Sequence, residues 1–160
     1  MKEFTLQVEL CLPRPRNEVF HFFADAHNLQ TLTPPWLKFE VLTPAPIAMR
    51  PGTLIDYRIT VHGLPIRWRT EIAEWDPPHQ FVDVQLSGPY TLWHHTHTFE
   101  EHDGSTLCLD HVRYRPRGGA LIHWLFVRRD VDRIFRYRQR RLKELFYSTA
   151  NTSAATADGS

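Results

Sequence analysis

Three histidines stand close together in the stretch YTLWHHTHTF, which spans residues 90–99. His94 and His95 are neighbours, and His97 follows two positions later. Imidazole is the side chain best suited to exchange protons near neutral pH, and it is also a common ligand of transition metals. The segment therefore has three interpretations: a general acid/base centre, a metal site, or a strand whose histidines only complete a buried hydrogen-bond network.

The turn after this segment indicates which histidines lie on one face. The Asp-Gly dipeptide at 103–104 is typical of two-residue hairpin turns, and a turn there pairs His97 with Asp110. Side chains alternate between the two faces of a strand, so His95 and His97 share the inner face. His94 is then expected to face outward, and the three histidines do not form one cluster.

The other turns predict the composition of the whole inner face, because each register keeps one set of side chains on one side of the sheet. That set is aromatic, with scattered polar groups. The turns at 63–64, 76–79 and 87–89 predict the pairs Trp68 with Ile59, Thr70 with Tyr57, Ile72 with Asp83, Thr70 with Gln85, and Asp83 with Trp93. The candidate ligand-contact residues on this face are Tyr57, Trp68, Thr70, Phe81, Asp83, Gln85, Trp93, His95, Phe99, Val112 and Tyr114.

The sharpest functional hypothesis makes His97 a general acid/base that is oriented by Asp110. Directly opposed side chains in a ladder lie within about 5 Å at Cβ, so this imidazole and this carboxylate are within reach of each other. Asp83 or Tyr114 would then polarise an oxygen of the ligand. The alternative is a buried polar network that satisfies its own hydrogen bonds and orients a ligand or fixes the register.

A metal site is the third interpretation. Two histidines on one face with a carboxylate across the ladder suit zinc or non-haem iron in their geometry. The glycine-rich pattern that accompanies such a pair in cupins is missing from the sequence. Cys11 and Cys108 form no CxxC pair, so the sequence indicates neither a thiolate metal site nor a disulfide framework. We therefore predict no metal and no cofactor.

The elements that position these side chains follow from the spacing of apolar residues. Residues 4–12 alternate polar and apolar side chains, which predicts a strand, and two short helices are expected over 16–25 and 29–36. Six further strands follow, of which those in residues 53–115 are joined by short turns and predict an antiparallel meander. A sheet with one apolar face needs a cover, so a further amphipathic element must follow.

Residues 119–147 supply that cover as one long amphipathic helix. After Tyr147 the chain contains no large apolar residue, so residues 148–160 are expected to be a disordered tail behind a single domain of residues 1–147. The apolar residues that recur at three- and four-residue steps along the predicted helix are Leu121, Leu125, Val131, Ile134, Phe135, Leu142 and Leu145.

The order of these elements resembles the SRPBCC superfamily of START-related proteins, polyketide cyclases/dehydrases and pollen-allergen-like proteins. The resemblance covers roughly residues 3–147 and looks like the small bacterial branch in PRPRNEVFHFFADAHNLQTLTPPW, GTLIDYRI, WDPPHQFVDVQLSGPYTLWHHTHTF and DHVRYRP. It implies an α+β helix-grip fold, in which a seven-stranded curved antiparallel sheet wraps around a long C-terminal helix and two short helices separate strands 1 and 2. It implies a shared cavity but no single chemistry, because the superfamily has no common catalytic motif.

Composition and length agree with one globular domain. The 160 residues are 42% hydrophobic and 23% charged, which is ordinary globular usage. The first residues, MKEFTLQVEL, alternate in polarity, unlike a signal peptide, and no segment approaches about 20 consecutive apolar residues. We therefore expect a cytoplasmic protein without stable membrane insertion.

Two surfaces suggest possible partners. Residues 119–147 hold 8 Lys/Arg against 3 Asp/Glu, a charge that would suit an anionic membrane, RNA or an acidic partner. We interpret these residues as the solvated side of the helix and expect no nucleic-acid partner. On the outer face of the sheet, an apolar surface offers a contact for a homodimer and is formed by Val82, Val84, Leu86 and Leu92.

The sequence thus supports two main functional hypotheses that share every cavity residue. In the first, an aromatic cavity between sheet and helix binds a small, mostly apolar ligand, aromatic or isoprenoid-like, without turning it over. In the second, the cavity belongs to a cyclase or dehydrase that holds a keto substrate, and His97 moves protons during enolisation or loss of water. A third hypothesis is an interaction module that works through the outer apolar surface or the basic helix.

Overall fold

Seven antiparallel strands form one sheet in the order β1-β7-β6-β5-β4-β3-β2, which confirms the predicted helix-grip architecture. The structure is a computed structural model that describes residues 2–155, with side chains up to residue 148. The strands are β1 Phe4–Leu12, β2 Glu40–Val41, β3 Leu54–Val61, β4 Leu64–Asp76, β5 Gln80–Ser87, β6 Tyr90–His102 and β7 Ser105–Pro116.

The hairpin between β6 and β7 has the predicted turn and register. Asp103 and Gly104 both adopt positive φ, as a type I′ turn requires. His97 therefore pairs with Asp110, as expected. Along β6 the inward residues His95 and His97 are buried, which confirms the face assigned to them.

The turn between β3 and β4 lies one residue earlier than predicted. It is formed by His62 and Gly63, both at positive φ. Tyr57 therefore pairs with Trp68, and Thr70 pairs with Ile55 instead of Tyr57. The sequence favoured Gly63-Leu64 because a non-glycine residue at positive φ is uncommon.

The register between β5 and β6 is also shifted by two residues, because Asp83 pairs with His95 and not with Trp93. The cause is the side-chain amide of Gln85. Its Nε2 donates to the Tyr90 carbonyl over 2.7 Å, and its Oε1 accepts from the Tyr90 N–H over 3.1 Å. A side chain thus occupies the position where a backbone pair was predicted, while the two-residue shift leaves every side chain on its predicted face.

The segment between β1 and β3 contains two short α-helices, α1 (Arg16–Ala24) and α2 (Leu29–Leu32). In α1, Phe20 and Phe23 are buried and pack on the phenylalanines of the sheet interior. The strand predicted over residues 37–43 is much shorter than expected, because β2 has only two residues. Phe23 of α1 and Leu32 of α2 share a buried cluster with Phe81 and Phe99, so the two helices cover part of the inner face of the sheet.

The predicted C-terminal helix is continuous but not regular. It begins as α3 (Gly119–Ile122), widens into a π-helical segment (His123–Val127) and continues as α4 (Arg128–Ala155). The wider turns direct His123 toward the sheet, where it is 3% exposed. Leu121 and Leu125, which we placed on the covered face, are instead 70% and 54% exposed.

The helix is also longer than predicted. It continues to Ala155, so the expectation of a disordered tail beginning at residue 148 is wrong for that part of the chain. Residues 156–160 lie outside the described residues. The helix covers the inner face of the sheet through its buried apolar residues Val131, Phe135 and Leu142.

The outer apolar surface is smaller than predicted. Val82 is only 3% exposed, and Val84 and Leu92 are half-buried, so Leu86 at 52% is the prominent member. The homodimer through this face stays a prediction. Within the part of the chain that the structure describes, no helix combines the length and apolarity needed to cross a membrane.

Candidate functional site

A cavity of about 480 Å³ lies between the inner face of the sheet and the helices. This volume is in the range of sites that enclose small organic molecules. The helical parts of the chain contribute Phe23, Trp36, Val131, Phe135 and Arg138 to the wall. The predicted site residues that line it are Tyr57, Trp68, Thr70, Phe81, Asp83, Trp93, His95 and His97.

The other predicted site residues lie outside the cavity wall. Gln85 is engaged with the backbone of Tyr90, as described above. Phe99 and Val112 are buried in the core, at 3% and 0% exposure. Tyr114 directs its hydroxyl to His123 Nε2 over 3.0 Å. Their faces were predicted correctly, but an inward face includes core positions as well as cavity positions.

The cavity is aromatic at one end. The rings of Trp68 and Trp93 meet edge to face at 5.3 Å between centroids, and Tyr90 packs against Trp93 at 4.9 Å. Such pairs hold each other rigidly and present flat apolar surfaces. Trp68 Nε1 is buried and has no hydrogen-bond partner among the described residues.

A polar cluster occupies the other end, where two histidines and two carboxylates meet in a crossed pattern. His97 Nε2 donates to Asp83 Oδ2 over 2.6 Å, and His95 Nε2 donates to Asp110 Oδ1 over 2.7 Å. His97 and Asp110 are neighbours across the ladder, but His97 Nδ1 lies 3.2 Å from Asp110 Oδ1 without hydrogen-bond alignment. The predicted pair is therefore part of a four-residue network.

Arg138 completes this cluster from the helix and was missed by the sequence reasoning. Its side chain is buried, and Nη2 lies 3.6 Å from Asp110 Oδ1. The predicted solvated role of this basic residue is wrong. The signal was available, because Arg138 continues the steps of four and three residues made by Val131 and Phe135.

The network fixes the charges of its carboxylates. Burial alone would raise the pKa of Asp110, but the Arg138 charge, the hydrogen bond from His95 and the close imidazole of His97 hold it well below the usual 3.8. Burial likewise opposes ionisation of Asp83, and its bond to His97 with the nearby positive charges lowers its pKa. Both carboxylates are therefore negative at neutral pH.

The two imidazoles respond in opposite ways to similar surroundings. Burial lowers the pKa of His95, and the neighbouring His97 lowers it further, outweighing the effect of Asp110. For His97, burial acts in the same direction, but its contacts with Asp110 and Asp83 are stronger and raise its pKa. The ring centroids of His95 and His97 are only 3.7 Å apart, so a positive charge on one imidazole disfavours protonation of the other.

We expect the histidines to titrate on opposite sides of the usual imidazole pKa of 6.5, His97 above it and His95 below it. The stability contributed by His97 should be complete below pH 6.5 and lost as the pH rises through its raised pKa. For His95, the unfolded chain takes up the proton first, so stability should decrease as the pH falls below 6.5. Histidine NMR titration measures the two pKa values, with the signals assigned by glutamine variants of each histidine. A His97 that is neutral below pH 6.5 would contradict the expected raised pKa.

The absence of a metal stays a prediction. Asp83, His95 and His97 offer ligand atoms within 4.8 Å of one another, a set that could hold a cation. The Arg138 guanidinium beside the cluster opposes a second positive charge, and the carboxylates already accept hydrogen bonds. Elemental analysis should find far less than one metal ion per chain. About one equivalent of zinc or iron that is lost when both histidines are changed to alanine would overturn the prediction.

Solved structures share this fold at low sequence identity. Protein Ms6760 from Mycobacterium smegmatis is 22% identical, with a TM-score of 0.67 over 91% of this chain and 92% of that chain. The Zhui aromatase/cyclase from a Streptomyces species is 15% identical, with a TM-score of 0.68 over 88% and 92%. Ara h 8.0201 is 16% identical, with a TM-score of 0.62 over 89% and 99%. These similarities support the fold and do not define the chemistry.

No curated protein matches the chain. A family model described as polyketide cyclase / dehydrase and lipid transport matches residues 12–143. The match runs from the end of β1 into α4 and so includes the strands and the helix that surround the cavity. The sequence resemblance, the helix-grip fold and this match agree, and the chain therefore belongs to the polyketide cyclase/dehydrase and lipid transport family.

Proposed function

We propose that the protein reversibly binds a small, mostly apolar molecule, aromatic or isoprenoid-like, in the cavity between the sheet and the C-terminal helix. The observation that carries this proposal is a cavity of about 480 Å³ with an aromatic end at Trp68 and Trp93 and a polar cluster at its other end. A mostly apolar cavity with a few convergent polar groups is the usual form of a small-molecule site.

The two ends of the cavity define the shape of the proposed ligand. The aromatic end at Trp68 and Trp93 suits flat rings or conjugated chains, which gain contact area by stacking. The polar cluster at His95, His97 and Arg138 suits a carbonyl or hydroxyl oxygen. A ligand with an extended apolar body and at least one oxygen at its end would satisfy both requirements.

Native mass spectrometry of protein purified from cells tests this proposal. We expect a species heavier than the bare chain that disappears on denaturation, and an extracted small molecule that rebinds to the stripped protein. Soluble ligands of the same chemistry should quench tryptophan fluorescence saturably, because Trp68 and Trp93 line the cavity. If no apolar molecule copurifies or rebinds, the proposal is wrong.

The second candidate function is a cyclase- or dehydrase-type enzyme, favoured by one specific observation. His97 has a raised pKa, contacts two carboxylates and lines the cavity, so it could donate a proton to a bound keto substrate. His95, with its lowered pKa, would accept protons at neutral pH. Neighbouring groups with pKa values displaced in opposite directions are typical of acid/base pairs. Turnover of a keto compound that depends on His97 would favour this candidate.

A further inference from the structure

The start of the C-terminal helix exposes an unusual run of large apolar side chains. Trp124 is 61% exposed, Leu125 54% and Phe126 52%. A single exposed leucine is ordinary, but a contiguous group of this size marks an interaction surface. We call this group the helix-start patch and define it as Leu121, Ile122, Trp124, Leu125 and Phe126.

The π-helical segment explains why the patch faces away from the protein. His123 and Val127 point to the sheet, where His123 stacks on Phe4 at 3.4 Å between ring centroids. Because His123 and Val127 pack against the sheet, the side chains of residues 124–126 between them face solvent. The patch therefore lies on a helix whose other side is packed against the sheet.

The β3–β4 turn contacts the patch and is followed by a further exposed apolar side chain. Leu64, just after the β3–β4 turn, is 67% exposed. The ring of His62 in that turn lies 6.2 Å from the ring of Phe126, and its Nε2 bonds Asp130 over 2.7 Å. His62 and Val127 also line the cavity, so the patch and the hairpin tip flank the same rim of the proposed binding site.

The charge around the patch is positive. Arg113 and Arg115 pair with Glu3, whereas Arg117, Arg128 and Arg129 have no acidic partner among the described residues. Arg117 precedes the patch, and Arg128 and Arg129 follow it directly, with the Arg128 guanidinium 4.9 Å from the Trp124 ring. Asp130, the first acidic residue after the patch, is already bonded to His62. Exposed Trp, Phe and Leu beside arginines are typical of helices that lie in a membrane interface.

We propose that the helix-start patch docks this protein on an anionic lipid bilayer, with the apolar side chains in the interface and the arginines on lipid phosphates. Exposed tryptophan favours the headgroup region, and each nearby basic side chain adds attraction to anionic lipids. A second copy of this chain fits the surface less well, because a two-fold contact would gather the arginines around both patches into one interface. Docked in this way, the rim at His62 and Val127 faces the lipid.

Flotation with vesicles tests the docking surface without any cavity ligand. We expect the protein to float with vesicles of equal parts phosphatidylcholine and phosphatidylserine and to remain unbound with phosphatidylcholine alone. The double variant Trp124→Ser/Leu125→Ser should bind anionic vesicles about tenfold more weakly or worse, because it removes two apolar anchors. Arg128→Glu/Arg129→Glu should reduce binding to the level of neutral vesicles.

Leu86→Ser is the matched control. Leu86 is 52% exposed, close to the 54% of Leu125, but it lies on the outer face of the sheet. It should leave flotation unchanged, and all variants should keep the melting temperature of the original protein. Absence of flotation, or flotation that survives both double variants, would refute the proposal. A dimer in solution that Trp124→Ser/Leu125→Ser converts to a monomer, without vesicle binding, would assign the patch to a second copy instead. None of these outcomes depends on a ligand in the cavity.

Discussion

Replacing Asp110 with alanine should lower the free energy of unfolding by about 3–5 kcal/mol, because it removes the carboxylate that offsets a buried charge. Asp110 Oδ1 accepts from His95 and lies 3.6 Å from Arg138 Nη2. The guanidinium of Arg138 cannot lose its proton, so it would remain buried and charged. Chemical denaturation monitored by tryptophan fluorescence measures the change.

Asp56→Ala is the matched control. Asp56 is also an aspartate on a strand, and it accepts two hydrogen bonds from Arg69, at 2.8 and 3.0 Å, but the pair is exposed. Its loss should change stability by about 1 kcal/mol or less, because water screens surface ion pairs. Similar losses in the two variants would show that the charge of Asp110 has no special role.

A double variant and a pH series separate charge from contact area. Asp110→Leu combined with Arg138→Met removes both charges and should restore much of the lost stability. The lowered pKa of Asp110 means that its contribution is present above pH 3.8 and is lost as the pH falls through the folded value. The difference between the original protein and Asp110→Ala should therefore become smaller in acid.

The second large effect concerns the aromatic end of the cavity. Trp93→Ala or Trp68→Ala should weaken binding of an apolar ligand by about 10- to 100-fold, because each removes a stacking surface worth about 1.5–3 kcal/mol. His97→Ala should weaken it by only about fivefold, the equivalent of one hydrogen bond at about 1 kcal/mol. Titration of the extracted ligand by fluorescence or calorimetry gives the three affinities.

Trp124→Ala serves as the control for this series, because Trp124 is exposed and lies outside the cavity wall. It should bind the soluble ligand normally. The reverse order would favour the enzyme hypothesis: affinity nearly unchanged in His97→Ala, with turnover of a keto compound slowed by about 100-fold or more. In that case the cavity is catalytic, and stacking on Trp68 and Trp93 serves only to bind the substrate.

The fold could be predicted from the sequence because its signals are local. The Asp-Gly turn at 103–104 fixes the last hairpin through its positive φ values. The Gln85 amide, by contrast, replaces backbone hydrogen bonds in the preceding loop, and turn preferences contain no information about that. The error mattered for the site, because the true register brings Asp83 to the histidines and away from Trp93.

The site itself was only half predictable. Periodicity assigns side chains to a face, and it did so correctly for His95 and His97. It does not say which inward residues face open space, so Phe99 was placed in the cavity although it is core. Arg138 was missed because basic residues on amphipathic helices are usually solvated, although its spacing matched the buried side.

The position of β1 (Phe4–Leu12) in the sheet has a consequence for synthesis of the chain. β1 is made first, yet it is an edge strand whose one neighbour in the described sheet is β7. Contacts across this pair, such as Glu3 with Arg113, join residues 110 positions apart. While the ribosome is translating the hairpins, β1 has no strand to pair with, so its exposed edge is a target for chaperones and for aggregation until β7 has left the exit tunnel.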